Sequence, residues 1–254
     1  MILVIDVGNT NIKLALCEKE EILISWRISV KNNRTADEFG VELLKMFQAS
    51  GYTFDTVEGV IISSVVPSVN YTLTHACEFY LHKTPIMVSC ELKTGLTYGY
   101  ADPTSLGADR IANAVGAITH YGSPCIIFDL GTASTFGVVD RNNCFLGGCI
   151  APGIKTSLDA LSTQASKLPL VELVPPASII ADNTTANIQA GVIYGFQGLV
   201  KNIVSLMKQE LNDPNVKVIA TGGLTQLLDG ADWIDVYDRA LTLKGLLALY
   251  KMNA

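Results

Sequence analysis

Short apolar runs broken by polar turns predict three consecutive strands at the start of the chain, over residues 1–7, 11–18 and 21–29. The period then lengthens to that of a helix over 36–49. A buried strand over 57–66, a helix over 68–81 and a short strand over 85–89 follow. The later part of the chain reads similarly, with strands over 125–130, 135–140 and 144–151, a long helix over 185–211, a strand over 216–220 and a C-terminal helix from Leu243. Antiparallel strands followed by alternating helix and strand make an α/β layout. Between the two halves, Asp102-Pro103 has the chemistry of a helix start, with Asp as N-cap and Pro at the first helical position. It leads into a pattern in which Ile111, Val115 and Ile118 share one face. Residues 164–183, with Pro169, Pro175 and Pro176, read as a loop excursion rather than a linker.

The two halves echo each other in their polar turns. Asp6-Val7-Gly8-Asn9-Thr10-Asn11-Ile12-Lys13 and Asp129-Leu130-Gly131-Thr132-Ala133-Ser134-Thr135 each stand between two apolar runs, so each reads as strand, tight turn, strand. Glycine in such a turn lets the backbone bend sharply and approach a ligand, while Asn, Thr and exposed N–H groups donate to phosphate oxygens. The aspartate suits Mg²⁺ held through water, because that ion keeps much of its hydration and takes one or two carboxylates. Alternation puts Asn11, Lys13 and Ala15 on one face and Ile12, Leu14 and Leu16 on the other, so Lys13 emerges beside the first turn. An ordinary hairpin explains either turn alone. Two turns in matching places favour a nucleotide clamped between duplicated domains, although the second departs at Ala133 and has no lysine counterpart.

Composition narrows the class. A length of 254 residues suggests about two domains, and a hydrophobic share of 49% supplies two substantial cores. No segment approaches the ~20 uninterrupted apolar residues that span a membrane. Asp6 interrupts the first apolar run too early for a secretory signal, so a cytoplasmic protein with no membrane partner is expected. A net charge of −6 and no basic cluster argue against a nucleic-acid partner but not against ATP, which can bring magnesium with it. Cys17, Cys77, Cys90, Cys125, Cys144 and Cys149 show no CxxC spacing and read as reduced core residues. His75, His82 and His120 fall near expected helix ends, form no metal-ligand pattern and read as surface residues. The absence of Walker A and GxGxxG sequences argues against P-loop and Rossmann folds.

Taken in order, Asp6-x-Gly8-Asn9-Thr10-x-x-Lys13, Gly107-Ala108-Asp109-Arg110, Asp129-x-Gly131-Thr132-Ala133-x-Thr135, Gly147-Gly148-x-Ile150-x-Pro152-Gly153, Thr221-Gly222-Gly223 and Leu241-Thr242-Leu243-Lys244-Gly245-Leu246 resemble type III pantothenate kinase, a family of the actin-like ATPase and sugar kinase superfamily. The resemblance runs the whole length of the chain. It implies an α/β fold of two ribonuclease-H-like domains, residues 1–103 and 104–254, each a mixed sheet flanked by helices, with the active site in the cleft between them. The implied activity is ATP-dependent phosphorylation of pantothenate at its primary hydroxyl to 4'-phosphopantothenate, the first step of coenzyme A biosynthesis. Mg²⁺, a monovalent cation (K⁺ or NH₄⁺) and a homodimer are implied with it.

The same resemblance implies roles for single residues. Asp6, Gly8, Asn9, Thr10, Asn11 and Lys13, with Gly131 and Thr132, would surround the ATP phosphates; Thr221, Gly222 and Gly223 would lie at the adenosine. Asp6 would hold hydrated Mg²⁺, and Asp129 the monovalent cation. Asp109 would be the general base on the pantothenate hydroxyl. Arg110, whose planar fork suits a carboxylate, would bind the substrate with Gly107 and Ala108 beside it. Tyr100 would pack on or hydrogen-bond pantothenate, and so would Thr184, in the dimer from the neighbouring subunit. Helical geometry places Asp109, Asn113 and Gly116 roughly opposite the Ile111 face, free to face a cleft.

By pattern alone, Asp109 and Arg110 read as a solvated helix face and Thr184 as a helix N-cap. Asp129 then reads as a polar turn residue, and residues 147–153 as a tight turn. Thr221 to Gly223 read as a turn into a helix beginning near Leu224. The chain departs from the family where Ala101-Asp102-Pro103 replaces a frequent Asp-Asn-Pro. Two other readings stay open. One is a superfamily kinase acting on another small hydroxyl or carboxylate acceptor; the other is a nucleotide-binding regulatory factor without turnover, which the presence of Asp6, Lys13, Asp109, Arg110 and Asp129 disfavours.

Overall fold

Ile2–Val7 (β1), Asn11–Glu18 (β2) and Glu21–Ser29 (β3) form an antiparallel meander in the computed structural model, which describes residues 1–254. Thr35 and Glu38 then close a capping box that starts the helix Ala36–Ala49 (α1). Gly59–Ser64 (β4) returns parallel to β1, the helix Pro67–Leu81 (α2) follows with Pro67 in its first turn, and Ile86–Met87 (β5) lies parallel on β4. The sheet order is β3-β2-β1-β4-β5. One face buries Leu3, Ile5, Val7, Leu14 and Leu16 against Phe39, Leu43 and Phe47 of α1 and Leu73 and Cys77 of α2. A two-residue strand, Thr97–Tyr98 (β6), precedes the helix Ala108–Tyr121 (α3).

A second meander begins with Cys125–Leu130 (β7), Ala133–Val139 (β8) and Cys144–Pro152 (β9). The helices Ile154–Gln164 (α4) and Thr184–Leu211 (α5) come next. Lys217–Thr221 (β10) then lies parallel to β7, and Val236–Tyr237 (β11) lies parallel to β10. Five neighbouring strands of the second sheet, β11-β10-β7-β8-β9, repeat the order of the first sheet strand for strand. Its core joins Phe128, Leu130 and Phe136 to Ile154 of α4 and Ile193, Phe196 and Val200 of α5. The C-terminal helix Leu241–Asn253 (α6) belongs to the first unit, packing on β1 and β4.

Residues 1–120 with 240–254 make one compact unit and residues 121–239 the other. The sequence reading divided the chain between 103 and 104. The close approach of α3 and α6 explains where the units part instead. A Cβ on Gly245 would fall 1.8 Å from the Ala112 carbonyl oxygen, and one on Gly116 would fall 2.7 Å from that of Leu241. Only glycines allow the two backbones to touch at that separation. Thr242 Oγ1 adds a 2.8 Å hydrogen bond to Asn113 Oδ1.

Several elements differ from expectation for local reasons. Asp102 does cap, accepting from the Thr104 N–H at 3.0 Å, but it starts only the short 3-10 turn Pro103–Ser105; extended backbone at Leu106 separates that turn from α3. After Thr221 the chain makes the 3-10 turn Thr225–Leu228, not a full helix near Leu224. α4 follows directly on Gly153, with bounds that the sequence reading did not give. The strand expected over 57–66 keeps only Gly59–Ser64, because Val57 closes the preceding 3-10 turn and Pro67 begins α2.

No disulfide joins the six cysteines; Cys17, Cys77 and Cys125 are buried as expected, and Cys90, Cys144 and Cys149 are half-buried. Burial pushes the Cys17 thiol up to about 11 and those of Cys77 and Cys125 up to about 12. His75 lies within α2 rather than near its end, and is exposed.

Candidate active site

In the first unit the turn between β1 and β2 is closed by the Gly8 N–H donating to the Asn11 carbonyl at 3.0 Å, with Asn9 and Thr10 exposed at its tip. Strand register then composes the site. Asp6 on β1 stands opposite Lys13 on β2 and Ser63 on β4, and all three share the sheet face away from the Leu3, Ile5 and Val7 core. Lys13 Nζ lies 3.7 Å from Asp6 Oδ2, longer than a direct hydrogen bond. Asp6 is 7% exposed and Ser63 fully buried, and the Ser63 hydroxyl has no hydrogen-bond partner. A buried hydroxyl is ordinarily paired, so Ser63 marks a place where a polar group is wanted. No motif pointed to it; only the parallel pairing of β1 and β4 brings it to Asp6.

Asp109 occupies the first turn of α3, where the helix start favours a carboxylate. Its Oδ1 accepts from the Arg110 N–H at 2.8 Å. A Cβ on Gly107 would meet that oxygen at 2.5 Å and Val65 Cγ1 at 3.7 Å. Gly107 therefore lets the carboxylate fold back toward the end of β4, where the Val65 N–H donates to the Val7 carbonyl at the edge of the first turn. Arg110 is 9% exposed, which excludes a solvated charge pair. Asn113 and Gly116 were expected with Asp109 on an open face; both are buried, against α6. A helix whose second face is covered by another helix shows the same periodicity as one on a surface. Ala108 is buried beside Asp109, and Tyr100 is half-buried.

The second unit carries the same design with other side chains. Asp129 on β7 pairs in register with Thr135 on β8 and Thr221 on β10, as Asp6 does with Lys13 and Ser63. Thr221 is also buried, with its Oγ1 unpartnered. Gly222 has φ +101°, and a Cβ there would stand 2.5 Å from Asp129 Oδ1 and 2.6 Å from the Leu130 nitrogen, so glycine alone fits beside the acid. Gly131 closes the turn by donating to the Ala133 carbonyl at 3.1 Å. Gly153 donates to the Thr132 carbonyl at 3.1 Å, and Thr156 Oγ1 donates to the same oxygen at 2.7 Å, fixing the turn from the end of β9. Gly223 follows with open space around it. Thr184 is the exposed first residue of α5; the N-cap is Asn183, whose side chain accepts from the Ala186 N–H at 3.0 Å.

Two mixed sheets that share a five-strand order, each carrying an acidic hairpin at the carboxyl end of its parallel pair, define the fold class, that of the actin-like ATPases and sugar kinases. A Campylobacter jejuni protein assigned to the Baf family of transcriptional activators shares it at 20% identity, with 98% of this chain and 97% of that one covered and a TM-score of 0.61. A Porphyromonas gingivalis protein assigned as an N-acetylglucosamine kinase does so at 16%, with 98% of each chain covered and a TM-score of 0.53. So does component A of (R)-2-hydroxyglutaryl-CoA dehydratase from Acidaminococcus fermentans, at 13%, with 98% and 96% covered and a TM-score of 0.51. These likenesses show the fold and no more, for the fold carries unlike activities.

Residues 2–206 match the family model of type III pantothenate kinase, and the chain belongs to that family. It is accordingly a phosphotransferase, a kinase that phosphorylates pantothenate in coenzyme A biosynthesis.

Proposed function

We propose that the chain passes the γ-phosphoryl group of ATP directly to the primary hydroxyl of pantothenate, with Asp109 taking the hydroxyl proton. The observation that carries this reading is the register row of Asp6, Lys13 and Ser63 at the β1 turn, with Asp109 folded back beside Val65. Phosphoryl transfer asks for charge neutralisation, an in-line hydroxyl and a proton acceptor, and little covalent help. Lys13 brings a cation to the phosphates, while the turn from Gly8 to Asn11 offers backbone and side-chain donors to their oxygens. Gly131 and Thr132 repeat that offer in the second unit, and Thr221, Gly222 and Gly223 provide the close backbone approach for adenosine. Arg110, Gly107, Ala108, Tyr100 and Thr184 would hold pantothenate, Arg110 at its carboxylate.

The residues fit both cations. A nearly buried carboxylate beside an unpartnered hydroxyl suits hydrated Mg²⁺ at Asp6, and Asp129 with the Thr221 hydroxyl offers hard oxygen donors to K⁺ or NH₄⁺. Mg²⁺, when bound, supplies neutralisation of phosphate charge. The residues themselves orient the phosphates and accept the proton. A homodimer is supported by α5, which leaves Tyr194, Leu199 and Leu206 partly exposed, and by Ile179 and Ile180 just before it. No helix is long and apolar enough to cross a membrane, and a cytoplasmic enzyme is proposed.

A panel of acceptors with Mg-ATP tests the substrate. Phosphate should appear on pantothenate, confirmed by mass, and not on hexoses or acetate. Product on another acceptor alone would move the chain to a different substrate, and nucleotide binding without any product would favour the regulatory reading.

A further inference from the structure

We infer that Arg27 is a further binding residue for the ATP polyphosphate, standing one strand beyond Lys13; this rests on the kinase reading above. β3 alternates throughout. Ile24, Trp26 and Ile28 pack toward the core, while Leu23, Ser25, Arg27 and Ser29 are exposed on the other face. Register places Arg27 directly opposite Lys13, and Ser29 opposite Asn11. The face that carries Asp6 and Lys13 therefore continues outward as a row running from buried Asp6 through half-buried Lys13 to exposed Arg27, flanked by Asn11 and Ser29 beside the Gly8 turn. Neighbouring strands lie ~4.8 Å apart, so the Arg27 Cα is roughly 10 Å from that of Asp6, and its long side chain can lean over Lys13.

Charge makes the arrangement informative. Like charges directly opposite on a sheet are destabilising. Lys13 is offset by Asp6, but Arg27 has no ion-pair or hydrogen-bond partner, whereas Arg34 and Arg141 each lie against a carboxylate. In a chain of net charge −6, two cations face each other at the mouth of a phosphate-type turn. A bound polyanion relieves that repulsion, and a guanidinium fork can hold two phosphate oxygens at once. A local electrostatic rule broken beside a phosphate-type turn is a mark of a functional site.

Direct titration of ATP, ADP and AMP onto wild type, Arg27→Gln and Arg27→Lys, with the thermal midpoint of each free protein, tests this. Arg27→Gln should weaken ATP binding by about tenfold or more, ADP by less, and AMP by under about twofold. Its free form should melt no lower than wild type, since a repulsion has been removed, and Arg27→Lys should recover part of the ATP affinity. Equal ATP affinity in wild type and Arg27→Gln, or an equal loss for all three nucleotides, would overturn the assignment. Failure of this inference leaves pantothenate-dependent product intact; failure of the kinase reading abolishes that product in wild type itself.

Discussion

At the scale of single residues, the account turns on carboxylates placed by glycines. Asp109 reaches its position because Gly107 leaves room for its Oδ1 beside Val65. Asp109→Asn keeps the oxygen that accepts from the Arg110 N–H, so the fold and ATP affinity should hold while kcat falls by about 10²–10⁴. Steady-state kinetics with a parallel nucleotide titration check this, and wild-type turnover in the variant would remove Asp109 as the base. Asp6, Lys13, Asp109 and Asp129 were singled out in the sequence as candidates because each sits in a motif of short spacing. Ser63 and Arg27 were not. Their relation to Asp6 and Lys13 exists only through the register of strands that are distant in sequence or unmarked by any motif. The burial of Arg110 was hidden too, since α6, which covers α3, is remote in the chain.

At the scale of elements, the sequence marked the hairpins and long helices well, where alternation and helical periodicity are strong. It missed short elements such as β6 and β11, which carry too few residues to show a period. The α3 and α6 pair is the joint most sensitive to substitution. Gly245→Ala would drive a methyl group into the Ala112 carbonyl, and should cost about 3 kcal/mol, a fall in Tm of roughly 6–12 °C by calorimetry. An unchanged Tm would mean the helices part without cost.

A second element test concerns the β8–β9 turn, which Arg141 ties to Asp213 at 2.7 Å after the end of α5. The Asn215 N–H and the Arg141 guanidinium hold the Asp213 carboxyl below its usual value. A carboxyl depressed in the folded state stabilises above its unfolded pKa, and that contribution is lost as pH falls through the lower folded value. Asp213→Asn should therefore weaken the protein at neutral pH and flatten its decline below about pH 4, as read by denaturant melts across pH. An unchanged acid limb would remove Asp213 from the balance.

At the scale of the whole molecule, the duplication is what the sequence disclosed first and the sheets bear out. Both hairpins sit at the same station of the five-strand order that the two sheets share. The family match then assigns the substrate, which the fold alone does not. The apolar outer side of α5 bears on assembly: Leu206 is 54% exposed, and Leu206→Asp should convert a proposed dimer to monomer in light scattering. A wild-type monomer would instead leave Thr184 to act only within its own subunit. The most direct measurement of the central claim is ADP release by purified wild-type protein with Mg-ATP and K⁺, with and without pantothenate, paired with mass detection of the product. The account predicts ADP formed in step with phosphopantothenate and little ADP without the acceptor. ADP release indifferent to pantothenate, with no phosphorylated product, would contradict it.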